Sequence, residues 1–332
     1  MFIVGSYSLA VFLCFITMLC WGSWGNTQKL ASKTWRFELF YWDYVIGVLL
    51  FSTLSAFTLG SFGLEGRSFL VDLKQANSNN IFSAFIGGII FNAANILLSA
   101  AISIAGMSVA FPVGIGIALV LGVFVNYTSA TKGNPLLLFL GVGLIAVAII
   151  LNALAYKSKN KHQQHGFKGI AISILAGILM AFFYKFIAAS MDLTNFVHPA
   201  DGKMTPYTAV FIFSGGIFLS NFLFNTLVMR RPFVGASITY VQYFRGNAAA
   251  HLTGILGGVI WGIGNSLNLI AAGKAGPAIS YGLGQGATMI AAFWGVFIWK
   301  EFSQTGNRVK RLLGYMFLFF IAGLTFIILA GN

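Results

Sequence analysis

Charge is scarce in this sequence, and acid scarcer still: 8% of the residues are Asp, Glu, Lys or Arg, and seven are acidic. Soluble domains carry about 25% charged residues, so a water-facing globule is excluded. Cysteine is nearly absent too. Cys14 and Cys20 stand six apart in one apolar run, so they do not share a helix face and no disulfide framework exists. No G-x-x-x-x-G-K-[ST] run is present, which removes direct coupling to ATP. The four His are not spaced with Cys as zinc ligands. Acids lying almost wholly in loops assemble neither a Ser-His-acid triad nor a carboxylate pair. Enzyme chemistry, a metal and a cofactor are therefore not expected, and solute passage is what remains.

Apolar length is what the chain has in abundance. Of 332 residues 58% are hydrophobic, mostly in runs of roughly 20, enough to cross a ~30 Å hydrocarbon core as helix. The spacing predicts an all-α membrane protein with ten spans: Ser8–Gln28, Phe40–Ser61, Ile81–Ile104, Met107–Tyr127, Pro135–Tyr156, Phe167–Ala189, Tyr207–Met229, Leu252–Ala272, Pro277–Trp299 and Val309–Ala330. Spans three and four, and eight and nine, are joined so tightly that each pair reads as a hairpin. The link Arg230–Ala250 is long and semi-polar, and a loop, an interfacial helix and a re-entrant segment all fit it. Met1–Gly5 lacks a basic start and the run continues as a full span, which argues against a cleaved signal.

The net charge of +13 does not point to nucleic acid, because the basic residues are scattered through short links. Their distribution carries orientation instead. Fourteen Lys and Arg fall in the odd-numbered links and five in the even-numbered ones, which places the odd links in the cytoplasm and both termini outside.

The chain also repeats itself. Shifted by 170 positions, Gly87, Gly88, Ile90, Asn95, Leu97, Ala101, Ala105, Gly106, Gly114 and Gly116 fall on Gly257, Gly258, Ile260, Asn265, Leu267, Ala271, Ala275, Gly276, Gly284 and Gly286. Spans three and four thus match eight and nine. The repeat unit is five helices, and an odd number inverts the second unit in the bilayer. The expected organisation is a first repeat over 1–156, a polar connector over 157–166 and a second repeat over 167–332, with the solute site near the midplane between the halves. His162 and His165 in the connector read as solvated linker.

Polar side chains inside apolar spans cost free energy unless they face partners or a cavity. Asn92 and Asn95, and Asn265 and Asn268, are pairs three apart, each on one helix face. They are candidate solute contacts, with interhelical glue as the other role. Gln285 lies in GLGQG (Gly282–Gly286), where glycines either pack helices closely or let one open toward a ligand. Tyr281 adds an aromatic face with a hydroxyl, and Pro112 marks the repeat-related position as a kink. Trp21, Trp24, Asn26 and Gln28 end the first span. They read as an interfacial belt or as a stacking platform with polar contacts. Asp43 is the one acid expected within a span and so the candidate for proton coupling, unless hydration or Arg36 neutralises it. Lys185 lies toward the opposite side, too far for an Asp43 pair, and is expected to snorkel.

These residues resemble a known group. AISYGLGQGATMIAAFWGVFIWKEF (Ala278–Phe302), WGSWGNTQKL in the first span and YWDYVIG (Tyr41–Gly47) in the second are similar to the ureide permease and glucose/ribose porter group of the drug/metabolite transporter superfamily. The rhamnose–proton symporters are a more distant likeness. The resemblance implies a secondary transporter of the bacterial inner membrane for a small solute, linked to protons. The short connector, lacking the long insert of plant ureide permeases, favours the sugar-porter branch. The expectation is therefore proton-coupled import of a sugar by alternating access, with the lipid bilayer and a small-molecule solute as partners. Uptake of ureides, nucleobases or nucleosides is the alternative, using the same amides with Trp21, Trp24 or Tyr281 stacking on a flat ring. A multidrug exporter is less favoured because Asp43 is shallow. A non-transporting sensor is less favoured because no soluble signalling domain lies in these 332 residues.

Overall fold

The computed structural model of the chain describes residues 1–32, 35–63, 65–105, 107–159 and 167–332. Lys33, Gly106 and the connector histidines His162 and His165 fall outside the described residues. The helices are α1 (Tyr7–Ala31), α2 (Phe37–Phe57), α3 (Phe69–Gln75), α4 (Ser78–Ala105), α5 (Met107–Ser129), α6 (Pro135–Lys159), α7 (Phe167–Ala189), α8 (Pro206–Arg230), α9 (Tyr240–Phe244), α10 (Ala248–Ala275), α11 (Pro277–Gln285), α12 (Ala287–Phe293) and α13 (Asn307–Leu329), with a π turn over Trp294–Ile298 after α12. Among the described residues ten helical stretches are long and apolar enough to cross a membrane, and no strand forms. The ten predicted spans are these stretches. Exposed apolar side chains such as Leu54, Leu136, Leu219 and Leu318 cover the outside, a surface that suits hydrocarbon, where helices satisfy their own backbone groups.

Local chemistry sets the ends. The Ser6 hydroxyl accepts from Leu9 N at 3.2 Å to start α1, and Asn247 Oδ1 accepts from Ala250 N at 2.8 Å to start α10. Pro206 and Pro277 occupy the first turns of α8 and α11, where a missing N–H costs nothing. Gly276 alone separates α10 from α11, at φ 85, a left-handed backbone that suits glycine. The second expected hairpin is thus a one-residue turn.

The structure decides one open point and departs from three expectations. The undecided link Arg230–Ala250 holds the short helix α9, built on a Thr239–Gln242 capping box. Span nine is not one helix: it breaks at Gly286 and widens into the π turn. At Gly286 and Met289 the N–H groups bond three residues back, to Leu283 O and Gly286 O, which interrupts the α-helical ladder. Acid is also less confined to loops than expected. Glu38 lies in the first turn of α2 and Asp72 in α3, and both are fully buried. Pro112 is carried inside a continuous α5.

Helix packing rests on close backbone approach. α4 packs on α7 and α8, while α10 packs on α1 and α2. A Cβ at Gly88 of α4 would overlap the carbonyl oxygen of Phe213 in α8, and one at Gly258 of α10 would overlap that of Tyr44 in α2. The end of the bundle that holds the termini is cross-linked by polar groups. Asp72 accepts from Arg67 Nε at 3.0 Å and from Thr205 N at 2.8 Å, and Lys203 O accepts from Arg67 Nη2 at 2.8 Å. Asn80 Nδ2 donates to Gly202 O at 2.7 Å, and Tyr7 OH donates to Ile328 O at 2.6 Å.

These crossings give a prediction. Gly258→Ala is expected to destabilise the protein by about 2 kcal/mol or more, because backbone must shift. Gly143→Ala and Gly215→Ala, where an added Cβ meets nothing within 4 Å, are expected to be neutral or to gain up to about 1 kcal/mol of helix propensity. Melting temperatures in detergent check the contrast, and equal losses at all three would remove close approach as the cause.

Candidate functional site

A central space of about 400 Å³, open solvent at its mouth included, lies among α1, α4, α5, α7, α10 and the α11–α12 break. Its aromatic wall is built by glycine slots. Trp21 is wedged between α10 and α11: a Cβ at Gly264 would sit 2.8 Å from its Cδ1, and one at Gly284 2.7 Å from its Cζ3. Its ring lies near parallel to Trp261, 6.1 Å between centroids and 9° between planes, and Trp261 in turn stacks on Phe91 at 4.2 Å. Trp24, three residues on and so on the same face of α1, packs against Tyr44 at 5.0 Å. Both indoles are buried, at 6% and 3% exposure, so the belt reading of Trp21 and Trp24 is set aside and they line the cavity.

The expected amides divide into three kinds. Asn95 and Gln285 line the cavity. Asn95 Nδ2 reaches Tyr41 Oη at 3.4 Å, and Gln285 ends α11 where the helix breaks. Asn92 is instead a brace: its Oδ1 accepts from Tyr41 OH at 3.0 Å, and its Nδ2 donates to Ser220 Oγ at 2.9 Å. Asn268 braces α10 to α11 through Nδ2 and Ser280 O, at 2.8 Å. Asn265, the repeat partner of Asn95, is 1% exposed, and neither of its amide atoms has a hydrogen-bond partner. Tyr281 does not line the cavity. It fits a slot over Gly122 and donates to Ala118 O and Met180 O, both at 3.2 Å, tying α11 to α5 and α7.

A second cavity, about 440 Å³ with the open solvent at its mouth included, runs from Phe111, which also lines the first, toward the odd-numbered links. Asn26 is here: its Oδ1 accepts from Trp299 Nε1 at 2.8 Å. Lys29 and Glu301 close the far side as an ion pair at 2.6 Å. Gln28 is buried outside both linings, with Oε1 unpartnered.

Asp43 is buried and does not pair with Arg36. Arg36 is spent on Glu38, at 2.6 Å, and on the carbonyls of Val234 and Ala236. The Asp43 carboxylate, 1% exposed, accepts from Tyr243 OH at 2.7 Å and meets His251 Nδ1 at 2.8 Å, while its Oδ2 has no partner. Burial, with the carboxylate beside it, pushes the Tyr243 phenol above its ordinary pKa, so it remains a donor. Trp35 packs edge-on to His251 at 5.1 Å. His251 and Tyr243 escaped the sequence reading because they lie about 200 positions from Asp43. Lys185 is exposed, as snorkelling requires, and Cys14 and Cys20 are free.

The geometry can be set beside known proteins. The sequence profile of the family described as Ureide permease matches residues 40–168 and 161–330. Ureide permease 4 of Arabidopsis thaliana is 24% identical over 97% of this chain and 97% of its own length. Ureide permease 1 of the same plant is 23% identical over 97% and 96%. One solved crystal structure superposes over 96% of both chains with a TM-score of 0.58 at 13% identity, a likeness of fold alone. The two plant relatives are named as permeases, which are transporters and not enzymes.

Braces and free amides predict opposite mutant behaviour. Asn92→Ala strands Tyr41 OH and the Ser220 hydroxyl and is expected to cost about 1–3 kcal/mol of stability. Asn265→Leu removes two desolvated, unpartnered atoms and is expected to hold or raise the melting temperature. If Asn265→Leu also keeps full solute affinity, Asn265 is no ligand.

Proposed function

The chain belongs to the ureide permease family, and from that membership we propose a secondary transporter for a small, planar, nitrogen-rich solute, a ureide or nucleobase-like ring. The observation that carries this reading is the lining of the central cavity. It holds the rings of Trp21, Trp24, Phe91 and Trp261, with Asn95 and Gln285 as its amides. A ureide is flat, with N–H and C=O groups along its edges. Ring faces stack on its plane, and an amide supplies both the acceptor and the donors that a urea edge needs. A sugar carries a hydroxyl on nearly every carbon, and two amides leave several of them desolvated and unpaired, at roughly 1–3 kcal/mol each. The sugar expectation therefore gives way to the ureide reading, which the names of the relatives also favour.

We read the halves 1–156 and 167–332 as inverted repeats that rock about this cavity. The crossings of α4 on α8 at Gly88 and of α10 on α2 at Gly258 support it, since the two glycines are repeat partners. The charge bias puts the odd links in the cytoplasm and both termini outside. The polar cross-links at the terminal end then form the closed outer gate, in the plasma membrane of a bacterium.

Asp43 is the coupling group in this reading. It lies in α2 of the first half, and its partners Tyr243 and His251 belong to the second, so its proton occupancy acts on the contact between halves.

Two measurements test these claims. In a melting assay with allantoin, uracil, adenine, hexoses and pentoses, ureides or nucleobases at a hundredfold excess over Kd are expected to add about 2.7 kcal/mol of stability. Stabilisation by sugars alone would return the reading to a sugar porter. In proteoliposomes, Asp43→Asn is expected to abolish accumulation driven by an inward proton gradient while solute exchange continues. Accumulation at the wild-type level would remove Asp43 from coupling.

A further inference from the structure

A single central site leaves the second cavity unexplained. Its wall is built with unusual backbone. Past α12 the helix widens, and Trp299 N donates to Trp294 O, five residues back, at 2.8 Å. The π turn that ends this span puts Trp294 and Gly295 on the cavity wall. Lys300 follows at φ 51, a left-handed conformation uncommon for such a residue. It turns the chain so that Glu301 N donates to Gly295 O at 2.9 Å. The Glu301 carboxylate thereby meets Lys29 Nζ at 2.6 Å and accepts from Tyr156 OH at 3.1 Å. A side chain at Gly295 would lie 2.6 Å from that hydroxyl, so the glycine keeps the space clear.

The chemistry of the lining points to a ligand. Asn152 lines the cavity at 6% exposure, and its Oδ1 has no hydrogen-bond partner. A desolvated amide oxygen costs free energy until a donor reaches it. The two indoles are fixed by their own N–H groups, Trp294 to Ser23 Oγ at 2.9 Å and Trp299 to Asn26 Oδ1 at 2.8 Å. Their faces are therefore held in place. Phe111 stands between this space and the central cavity, lining both.

We propose that the second cavity is a solute-binding station in series with the central one. It takes the same neutral, planar, N–H-bearing solute and rests on the ureide reading above. Asn152 Oδ1 and the Glu301 carboxylate accept the solute's N–H groups, and the Lys29 ammonium donates to its carbonyl. The Lys29–Glu301 pair bars the exit until it parts, and Phe111 separates the two stations.

Equilibrium dialysis of radiolabelled allantoin against the full chain in lipid nanodiscs counts the sites. Wild type is expected to bind two molecules per chain. Asn152→Leu is expected to bind one, at the unchanged central affinity, which also shows that the variant is folded. Tyr156→Phe, a gentler change, is expected to weaken the second site by about threefold or more. One bound allantoin in wild type, or two in Asn152→Leu, overturns the second station and leaves the permease reading standing. No binding of any ureide or nucleobase overturns both. If Asn152→Leu binds nothing, Ala291→Cys in a Cys20→Ser, Trp24→Ala background decides. Allantoin is expected to slow maleimide labelling at that wall position although the central site is impaired, and unprotected labelling overturns the station.

Discussion

Two backbone crossings, at Gly88 and Gly258, set how near the core helices come, and the site depends on that spacing. In lipid there is no hydrophobic drive to bring helices together, so association rests on packing and interhelical hydrogen bonds. Carbonyl oxygens of Phe213 and Tyr44 occupy the places where side chains would otherwise stand. The same economy of volume serves the aromatic wall of the central cavity. Gly264 and Gly284 make the slot that orients Trp21, and Gly122 makes the slot that lets Tyr281 tie three helices together. Small residues on one helix thus become large ring surfaces on another.

Much of this architecture can be read from the chain, and the limits are physical. The ten crossings were legible because an apolar run of about 20 residues has few alternatives to a membrane helix. Trp21, Trp24, Asn95 and Gln285 were legible as polar or aromatic interruptions in such runs, and all four reach the central cavity. Asn92, Asn268 and Tyr281 carry the same signal, yet they satisfy neighbouring helices. Residue type cannot separate a brace from a ligand, because both must hydrogen-bond. The partners of Asp43 were hidden by distance in sequence, and the π turn by its ordinary apolar composition. Lys300 is the trace it leaves, and a left-handed lysine has no signature in sequence.

The two ends of the bundle are closed by different means. At the terminal end, loops from both halves share hydrogen bonds around the buried Asp72, with Arg67, Lys203 and Thr205. At the other end, an exposed lysine meets a half-buried glutamate across a cavity. Bonds of the first kind act together and hold several carbonyls and amides in one arrangement. An ion pair in contact with water contributes little by itself, and here Glu301 is also held by Tyr156 OH and Lys29 lies 4.4 Å over the Trp299 ring.

The placement of the indoles has a practical outcome. Five of the seven tryptophans, Trp21, Trp24, Trp261, Trp294 and Trp299, line one cavity or the other. Indole emission responds to the polarity and quenching of its surroundings, so this chain carries its own optical probes of filling. Trp35 and Trp42 lie away from both linings and pack instead around Tyr243 and His251, the partners of Asp43. Under the two-station proposal, emission from the unlabelled protein is expected to change as solute fills each space.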